Sequence, residues 1–260
     1  LEVVFYGLGA VTGPVVASIM LDWQHTAIPT IWGGAVLATV LIPGVFVMTL
    51  PPVVAREHIT GSRATSLYRS PILWTLAAIF LLYVGLEVGT GGWIAVYIHI
   101  TTPLSLSVGA LIASGYWLAL TGGRLLATLF GGRLSPARLL LVCLCGAVVG
   151  GFLLALSTGD APLTIGAVVV LGVSFGPIFP TAFAITTAEF PRAPGQAAST
   201  VVALGSIGGV VFPWLQGLIL TRISPQTSVV FVAALALLLL LVSRAIPAKH
   251  RPHPLAPSPF

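Results

Sequence analysis

The sequence predicts an all-α integral membrane protein with eight membrane-spanning helices. Hydrophobic residues make up 57% of the 260 residues and charged residues only 7%, whereas roughly 25% of an ordinary soluble domain is charged. The 17 formal charges, 11 basic and 6 acidic, are too few to cover a soluble surface, so lipid is the expected solvent. The apolar residues also fall into eight runs of about the 20 residues that a helix needs to cross a bilayer.

Polar or proline-rich breaks separate the eight runs. Ser70 before Pro71 and Ser135 before Pro136 are typical helix starts, because a hydroxyl can cap the first turn and a proline fits within it. The predicted spans are Val3 to Leu21, Ile28 to Leu50, Pro71 to His99, Leu106 to Phe130, Leu139 to Leu156, Leu163 to Thr187, Ala197 to Leu220 and Ser228 to Ile246.

The basic residues between the spans predict the topology. Nine of them lie in one set of loops and the tail, the opposite set holds only Arg222, and Arg124 lies inside the fourth span. Lys and Arg mark the cytoplasmic side of a membrane protein. Both ends of the chain are therefore expected in the cytoplasm, and the expected location is a cell membrane, specifically a bacterial inner membrane.

The longest polar interruption, residues 51–69, divides the first two helices from the last six. A weak internal repeat crosses it, because the glycine spacing of residues 8–14 recurs at residues 204–209. Such repeats are typical of transporters. If the first and seventh helices are equivalent, four helices precede this chain and the complete protein has twelve. The proline-rich tail, residues 248–260, is expected to be disordered.

Four segments resemble the major facilitator superfamily: Gly9 to Ser18, Gly122 to Arg138, Gly172 to Thr181 and Gly205 to Gly217. The resemblance covers essentially the whole chain as helices five to twelve. It implies a partial fold, with the last two helices of the N-terminal half in residues 1–50, a cytoplasmic loop between the halves, and the six-helix C-terminal half in residues 70–247. The pattern of residues 83–97 is most similar to the fucose-permease group, whose members mainly carry sugars with protons.

Glu87 is the most informative residue, because a charged carboxylate near the middle of an apolar span costs at least ~2.5 kcal/mol. We expect it to face protein or a water-filled cavity, as a proton-coupling group or an acceptor for substrate hydroxyls. The alternative is a neutral acid that satisfies a neighbouring helix. At 100° per residue, Tyr83, Thr90 and Tyr97 share its face and Trp93 lies at the edge. Aromatic and hydrogen-bonding groups suit a sugar site, although Trp93 and Tyr97 also fit an interfacial aromatic belt.

A second polar stripe follows one face of the fourth span. Ser114, Trp117 and Thr121 are expected to line the same substrate cavity. Arg124 continues this stripe near the cytoplasmic end of the span, where Glu189 ends the sixth span. We expect these two residues to pair as a gate at the cytoplasmic mouth, the alternative being that Arg124 snorkels to the membrane surface.

The expected function is transport rather than catalysis. The chain shows no partnered nucleophile, metal cluster, phosphate loop or cofactor motif, and its scattered basic residues do not indicate a nucleic-acid partner. The leading hypothesis is proton-coupled transport of a small polar solute, a sugar, by alternating access. Its partners would be the solute, protons and lipid, and the full-length protein would be a monomer.

Two alternatives remain open from the sequence. Gly9 to Ser18 resembles the antiporter motif of the superfamily, which is typical of drug or metabolite efflux. A membrane subunit without transport activity would instead turn its polar stripes toward other helices and enclose no cavity.

Overall fold

The computed structural model describes residues 2–47 and 67–246, and the regular elements in those ranges are helices. The predicted all-α fold is confirmed. The predicted tail, residues 248–260, and most of the loop at residues 51–69 lie outside the described residues. The helices are α1 (Glu2–Gln24), α2 (Ile28–Val47), α3 (Pro71–Thr101), α4 (Leu106–Phe130), α5 (Pro136–Leu156), α6 (Ala161–Phe175), α7 (Ile178–Glu189), α8 (Pro194–Arg222) and α9 (Pro225–Ser243), with a 3₁₀ turn at Gly131–Arg133.

Six helical segments within the described ranges are long and apolar enough to cross a membrane. They are α3, α4 with its 3₁₀ turn, α5, α6 together with α7, α8 and α9. The chain is therefore a multi-pass membrane protein. α1 and α2 are helices of 23 and 20 residues, and their assignment as two further spans, for a total of eight, stays a prediction.

The predicted helix starts coincide with helix N-termini. Pro71 and Pro136 each occupy the first turn of a helix. The Ser135 hydroxyl accepts a hydrogen bond from the Arg138 amide, which caps α5, whereas the Ser70 side chain makes no capping bond at α3. Serine and proline together therefore located the start of both helices, although only one hydroxyl caps its helix.

The sixth predicted span is not one continuous helix. α6 ends at Phe175 and α7 begins at Ile178. Pro177 and Pro180 cause the break, because neither has an amide hydrogen to continue the helical hydrogen-bond ladder. The break leaves main-chain carbonyl groups facing neighbouring helices in the middle of a spanning segment.

α3 lies at the centre of the bundle and packs against α4, α8, α9, α6 and α7. Close helix approach depends on glycine at two crossings. At Gly208 in α8, a Cβ atom would collide with the Leu81 carbonyl oxygen of α3, and at Gly123 in α4 it would collide with the Val173 carbonyl oxygen of α6. α1 packs on α4. Backbones in direct contact are typical of membrane bundles, whose helices gain van der Waals energy through small residues.

Gly123→Ala is expected to destabilise the protein, whereas Gly122→Ala is not. The added methyl at position 123 meets the Val173 carbonyl, while at position 122 there is nothing within 4 Å. Overpacking of this kind costs typically about 1–3 kcal/mol, and alanine in an open helical position is neutral or favourable. Thermal unfolding of the two variants in detergent measures the difference, and equal shifts would mean that α4 and α6 are not in contact at Gly123.

Candidate functional site

A buried ion pair joins α3 to α4. Glu87 is 5% exposed, and its Oε1 atom lies 3.1 Å from Nη2 of Arg124, whose side chain is 14% exposed. A lone charge is costly inside a membrane, and two opposite charges in contact offset part of that cost. Glu87 therefore faces protein and not lipid.

Arg124 and Tyr83 also bind the carbonyl groups at the break between α6 and α7. Nε of Arg124 donates to the carbonyl oxygen of Gly176 at 3.2 Å, and the Tyr83 hydroxyl donates to that of Phe175 at 3.0 Å. In a continuous helix the Gly176 carbonyl would accept from residue 180, but Pro180 has no amide hydrogen. The guanidinium group replaces that donor and places positive charge at the carbonyl end of α6, where the helix dipole favours it.

A cluster of aromatic rings includes two tyrosines that lie close to the ion pair in the chain or in space. Tyr83 packs edge-on against Phe175 with ring centroids 6.0 Å apart, and it lies 6.5 Å from the Phe179 ring. Tyr116 also packs edge-on against Phe175, and its hydroxyl donates to the main-chain carbonyl of Glu87 at 2.9 Å. The two charges are largely buried, which strengthens the attraction between them.

The polar stripe of α4 contacts two other helices. A Cβ atom on Gly7 in α1 would lie 2.7 Å from Oγ1 of Thr121, and one on Gly91 in α3 would lie 2.6 Å from the Trp117 ring. The Thr121 hydroxyl itself donates to the carbonyl of Trp117, and that of Ser114 donates within α4. Thr121 therefore marks the line along which α1 packs on α4.

A second polar cluster lies further along α3, against α8 and α9. Nε1 of Trp93 donates to the Pro213 carbonyl oxygen at 2.8 Å, and the indole ring lies over Gly217 one turn later in α8. Beside this contact is a small pocket. Its polar lining consists of Thr90, Trp93, Tyr97, Gln216 and Ser228.

A profile described as the Major Facilitator Superfamily matches residues 3–213 and 104–259. The chain belongs to the Major Facilitator Superfamily. The Sodium-dependent glucose transporter 1 of Danio rerio is 29% identical over 141 residues, which are 54% of this chain and 24% of that protein. The chain thus spans about a quarter of the length of that relative.

Two solved transporters share the fold. The E. coli fucose:proton symporter FucP superposes with a TM-score of 0.65 at 15% identity, covering 86% of this chain and 57% of FucP. The nucleoside transporter NupG superposes with a TM-score of 0.72 at 16% identity, covering 92% of this chain and 65% of NupG. At these identities the similarity shows the fold alone.

Within this superfamily fold, the single stripe predicted along α3 divides into two sites. Tyr83 and Glu87 lie with Arg124 at the broken helix, whereas Thr90, Trp93 and Tyr97 line the pocket against α8 and α9. Ser114, Trp117 and Thr121 follow α4. The pattern along one helix did not separate the different neighbours that these residues contact.

The predicted pairing of Arg124 with Glu189 stays a prediction. The ion pair that the structure shows for Arg124 is with Glu87.

Several residues of the two sites were not predicted from the sequence. They are Tyr116, Phe175 and Phe179 around the ion pair, and Gln216 and Ser228 at the pocket. Gln216 carried a usable signal, because an amide inside an apolar span needs a buried partner. The aromatic residues carried none, since the same residues in a membrane helix can equally face lipid.

Proposed function

We propose that this chain is part of a secondary active transporter that moves a small polar solute, a sugar, across the membrane by alternating access. The supporting observation is the Glu87 and Arg124 ion pair, which lies inside a superfamily fold and is attached to the break between α6 and α7. Broken helices and paired intramembrane charges are where transporters bind solutes and ions. The names of the glucose and fucose transporters support a sugar as the solute.

Proton coupling through Glu87 is the second part of the proposal. Protonation of the carboxylate would remove one charge of the pair and weaken the contact of Arg124 with Glu87, while the hydrogen bond of Arg124 to the Gly176 carbonyl would remain. The strength of the contact between α3, α4 and the break would then depend on the protonation of one residue. This gives a physical route by which a proton could change the relative stability of two conformations.

The solute site in this proposal is centred on Glu87 and includes Tyr83 with the α4 residues Ser114, Trp117 and Thr121. Thr121 lies where α1 packs on α4, which is the line between the two proposed halves. Three further candidates for contact with the solute lie closer to the C-terminal end of the same helix: Thr90, Trp93 and Tyr97. Arg124 and Glu189 are proposed as a gate at the cytoplasmic mouth.

The proposed architecture follows from the same assignment. α1 and α2 would be the last two helices of an N-terminal half, and α3 to α9 would be the six spans of the C-terminal half, which makes eight spans. The basic loops favour cytoplasmic ends for these eight spans, in a bacterial inner membrane. A transporter of this kind encloses its pathway within one chain, so the full-length protein is proposed to be a monomer.

Uptake by vesicles containing the full-length protein tests the function. Radiolabelled glucose, fucose and a nucleoside would each be supplied with a proton gradient, with a sodium gradient, and with neither. We expect accumulation of a sugar that depends on the proton gradient. Sodium-dependent accumulation would refute proton coupling, export of solute against its gradient would favour the efflux alternative, and the absence of any flux would refute the transport proposal.

A further inference from the structure

Two buried hydroxyl groups on α3 point to a bound ligand that differs from the proposed solute. Thr90 is 1% exposed and Tyr97 is 2% exposed. Among the residues that the structure describes, neither the Oγ1 atom of Thr90 nor the hydroxyl of Tyr97 has a hydrogen-bond partner. Both residues line the same pocket. A buried polar group without a partner is rare because it loses its hydration and gains nothing in return.

The Thr90 side chain differs from other helical threonines of this chain. The hydroxyls of Thr75, Thr121 and Thr186 donate to the carbonyl oxygen four residues earlier in their own helices. That local bond is the ordinary way for threonine to satisfy its hydroxyl in a membrane helix. The Thr90 hydroxyl has no such bond, so it is available to a group in the pocket.

Tyr97 differs from the other buried tyrosines in the same way. The hydroxyls of Tyr83 and Tyr116 each donate to a main-chain carbonyl of another helix, at 3.0 and 2.9 Å. The Tyr97 hydroxyl is equally buried but has no acceptor among the described residues. The two hydroxyls without a partner line the same pocket, which indicates that one bound molecule forms hydrogen bonds with both of them.

The size and charge of the pocket identify the class of this partner. The pocket offers about 10 Å³ to the centre of a water molecule, which is the space that about one water needs. Among the described residues, its remaining polar lining is the indole of Trp93, the amide of Gln216 and the hydroxyl of Ser228, and none of the lining residues is charged. A cation would be buried without a counter-charge, which is costly. The occupant is therefore neutral.

We propose that one ordered water molecule binds between Thr90, Tyr97 and Gln216. The water forms hydrogen bonds with both hydroxyls and with the amide. It thereby links α3 to α8, next to the hydrogen bond from Trp93 to the Pro213 carbonyl. Water can satisfy all three groups because it both donates and accepts, typically in about three hydrogen bonds. This inference does not depend on the proposed transport function.

The sign of a stability change tests the proposal. In the full-length protein, Thr90→Val and Tyr97→Phe keep the shapes of the side chains and remove one hydroxyl each. If water is bound, each variant loses a hydrogen bond and its midpoint of thermal unfolding falls by about 2–4 °C. If the pocket is dry, each variant removes an unsatisfied hydroxyl and its midpoint stays the same or rises, which would overturn the proposal.

Two further measurements make the test specific. Thr186→Val is the matched control, since Thr186 is also fully buried but donates to the Ala182 carbonyl at 2.8 Å. Its shift gives the baseline for replacing a buried helical hydroxyl by a methyl group. The double variant of Thr90 and Tyr97 should lose less than the sum of the two single losses, because both act through one water.

Two further experiments test independently whether the pocket holds water: a high-resolution density map, and thermal unfolding in different salts. At high resolution, a single peak within hydrogen-bond distance of both hydroxyls is expected, and an empty pocket would overturn the proposal. Unfolding is then compared in sodium, potassium and choline chloride. Equal midpoints support water, whereas a rise in sodium that Thr90→Val abolishes would show that a cation occupies the pocket.

Discussion

Glu87→Gln is expected to abolish proton-driven accumulation of the solute while the full-length protein still folds. Glutamine has nearly the same shape as glutamate and still accepts a hydrogen bond from Arg124, but it carries no charge and cannot take up a proton. A hydrogen bond to a charged group contributes about 1.5–3 kcal/mol, so its weakening corresponds to about tenfold or more in an equilibrium that depends on the pair. Accumulation in vesicles with and without a proton gradient measures the effect.

The double variant Glu87→Gln with Arg124→Gln separates folding from transport. The single change leaves the charge of Arg124 without its carboxylate, and breaking a buried pair from one side is strongly destabilising, whereas removing both charges costs less. The midpoint of thermal unfolding should thus fall in Glu87→Gln and recover in the double variant, while accumulation stays lost in both. Normal accumulation in Glu87→Gln would show that the residue is structural and that coupling lies elsewhere in the protein.

Solute exchange without a gradient separates the two roles proposed for Glu87. Retained exchange together with lost accumulation would identify a coupling residue, because binding and movement of the solute would be intact. Loss of both in a folded variant would identify a recognition residue. The comparison requires the same solute at the same concentration in both assays.

The helices could be predicted from the sequence because lipid leaves the backbone few choices. A segment in a bilayer must satisfy its own amide and carbonyl groups, so apolar runs of spanning length become helices. One of these predicted spans is a spanning segment made of two helices, since α6 ends at Phe175 and α7 begins at Ile178. Hydropathy does not register this break, since Pro177 and Pro180 interrupt the hydrogen-bond ladder without changing the apolar character of the segment.

The contact of Arg124 with Glu87 could not be found by counting residues from the ends of the spans. Arg124 lies six residues before the end of α4, which placed it near the cytoplasmic surface. Glu87 lies 16 residues after the start of α3, but α3 has 31 residues and extends to about 46 Å at 1.5 Å per residue. It exceeds the hydrocarbon core of about 30 Å, so a count from its end does not give the depth of Glu87.

The division of the α3 stripe has a related cause. α3 is surrounded by other helices, so polar residues on one face of α3 can meet different neighbours at different heights. Glu87 meets α4, whereas Thr90, only three residues later, lies at the pocket against α8 and α9. Periodicity places residues on a face of their own helix, but the identity of the neighbouring helix depends on tertiary packing.

The ion pair and the broken helix form one connected unit. Arg124 contacts the Glu87 carboxylate and the Gly176 carbonyl at the same time, and Tyr83 holds the adjacent carbonyl of Phe175. α3, α4 and the junction of α6 and α7 are therefore joined through three side chains. A change in the charge of Glu87 would act on all of them, which is why one protonation event is sufficient in the proposed mechanism.

Arg124→Lys is expected to reduce accumulation by about tenfold or more, even though the positive charge is kept. Arginine uses two different nitrogen atoms, Nη2 for Glu87 and Nε for the Gly176 carbonyl. Lysine has a single amino group on a flexible chain and cannot reproduce the planar arrangement of donors. Lysine can therefore hold either the carboxylate or the carbonyl in that geometry, but not both. Losing one charged hydrogen bond costs about 1.5–3 kcal/mol, which corresponds to a reduction of about tenfold or more. Uptake and thermal unfolding are measured on the same preparation.

Arg133→Lys is the matched control for this change. Arg133 is exposed in the 3₁₀ turn after α4, where its guanidinium lies 5.7 Å from the centre of the Phe130 ring. Exposed contacts of this type contribute about 0.5–1 kcal/mol, so the control should transport normally. If Arg124→Lys also transported normally, charge alone would be sufficient at position 124. The hydrogen bond to the Gly176 carbonyl would then have no part in coupling, and the ion pair would act independently of the broken helix.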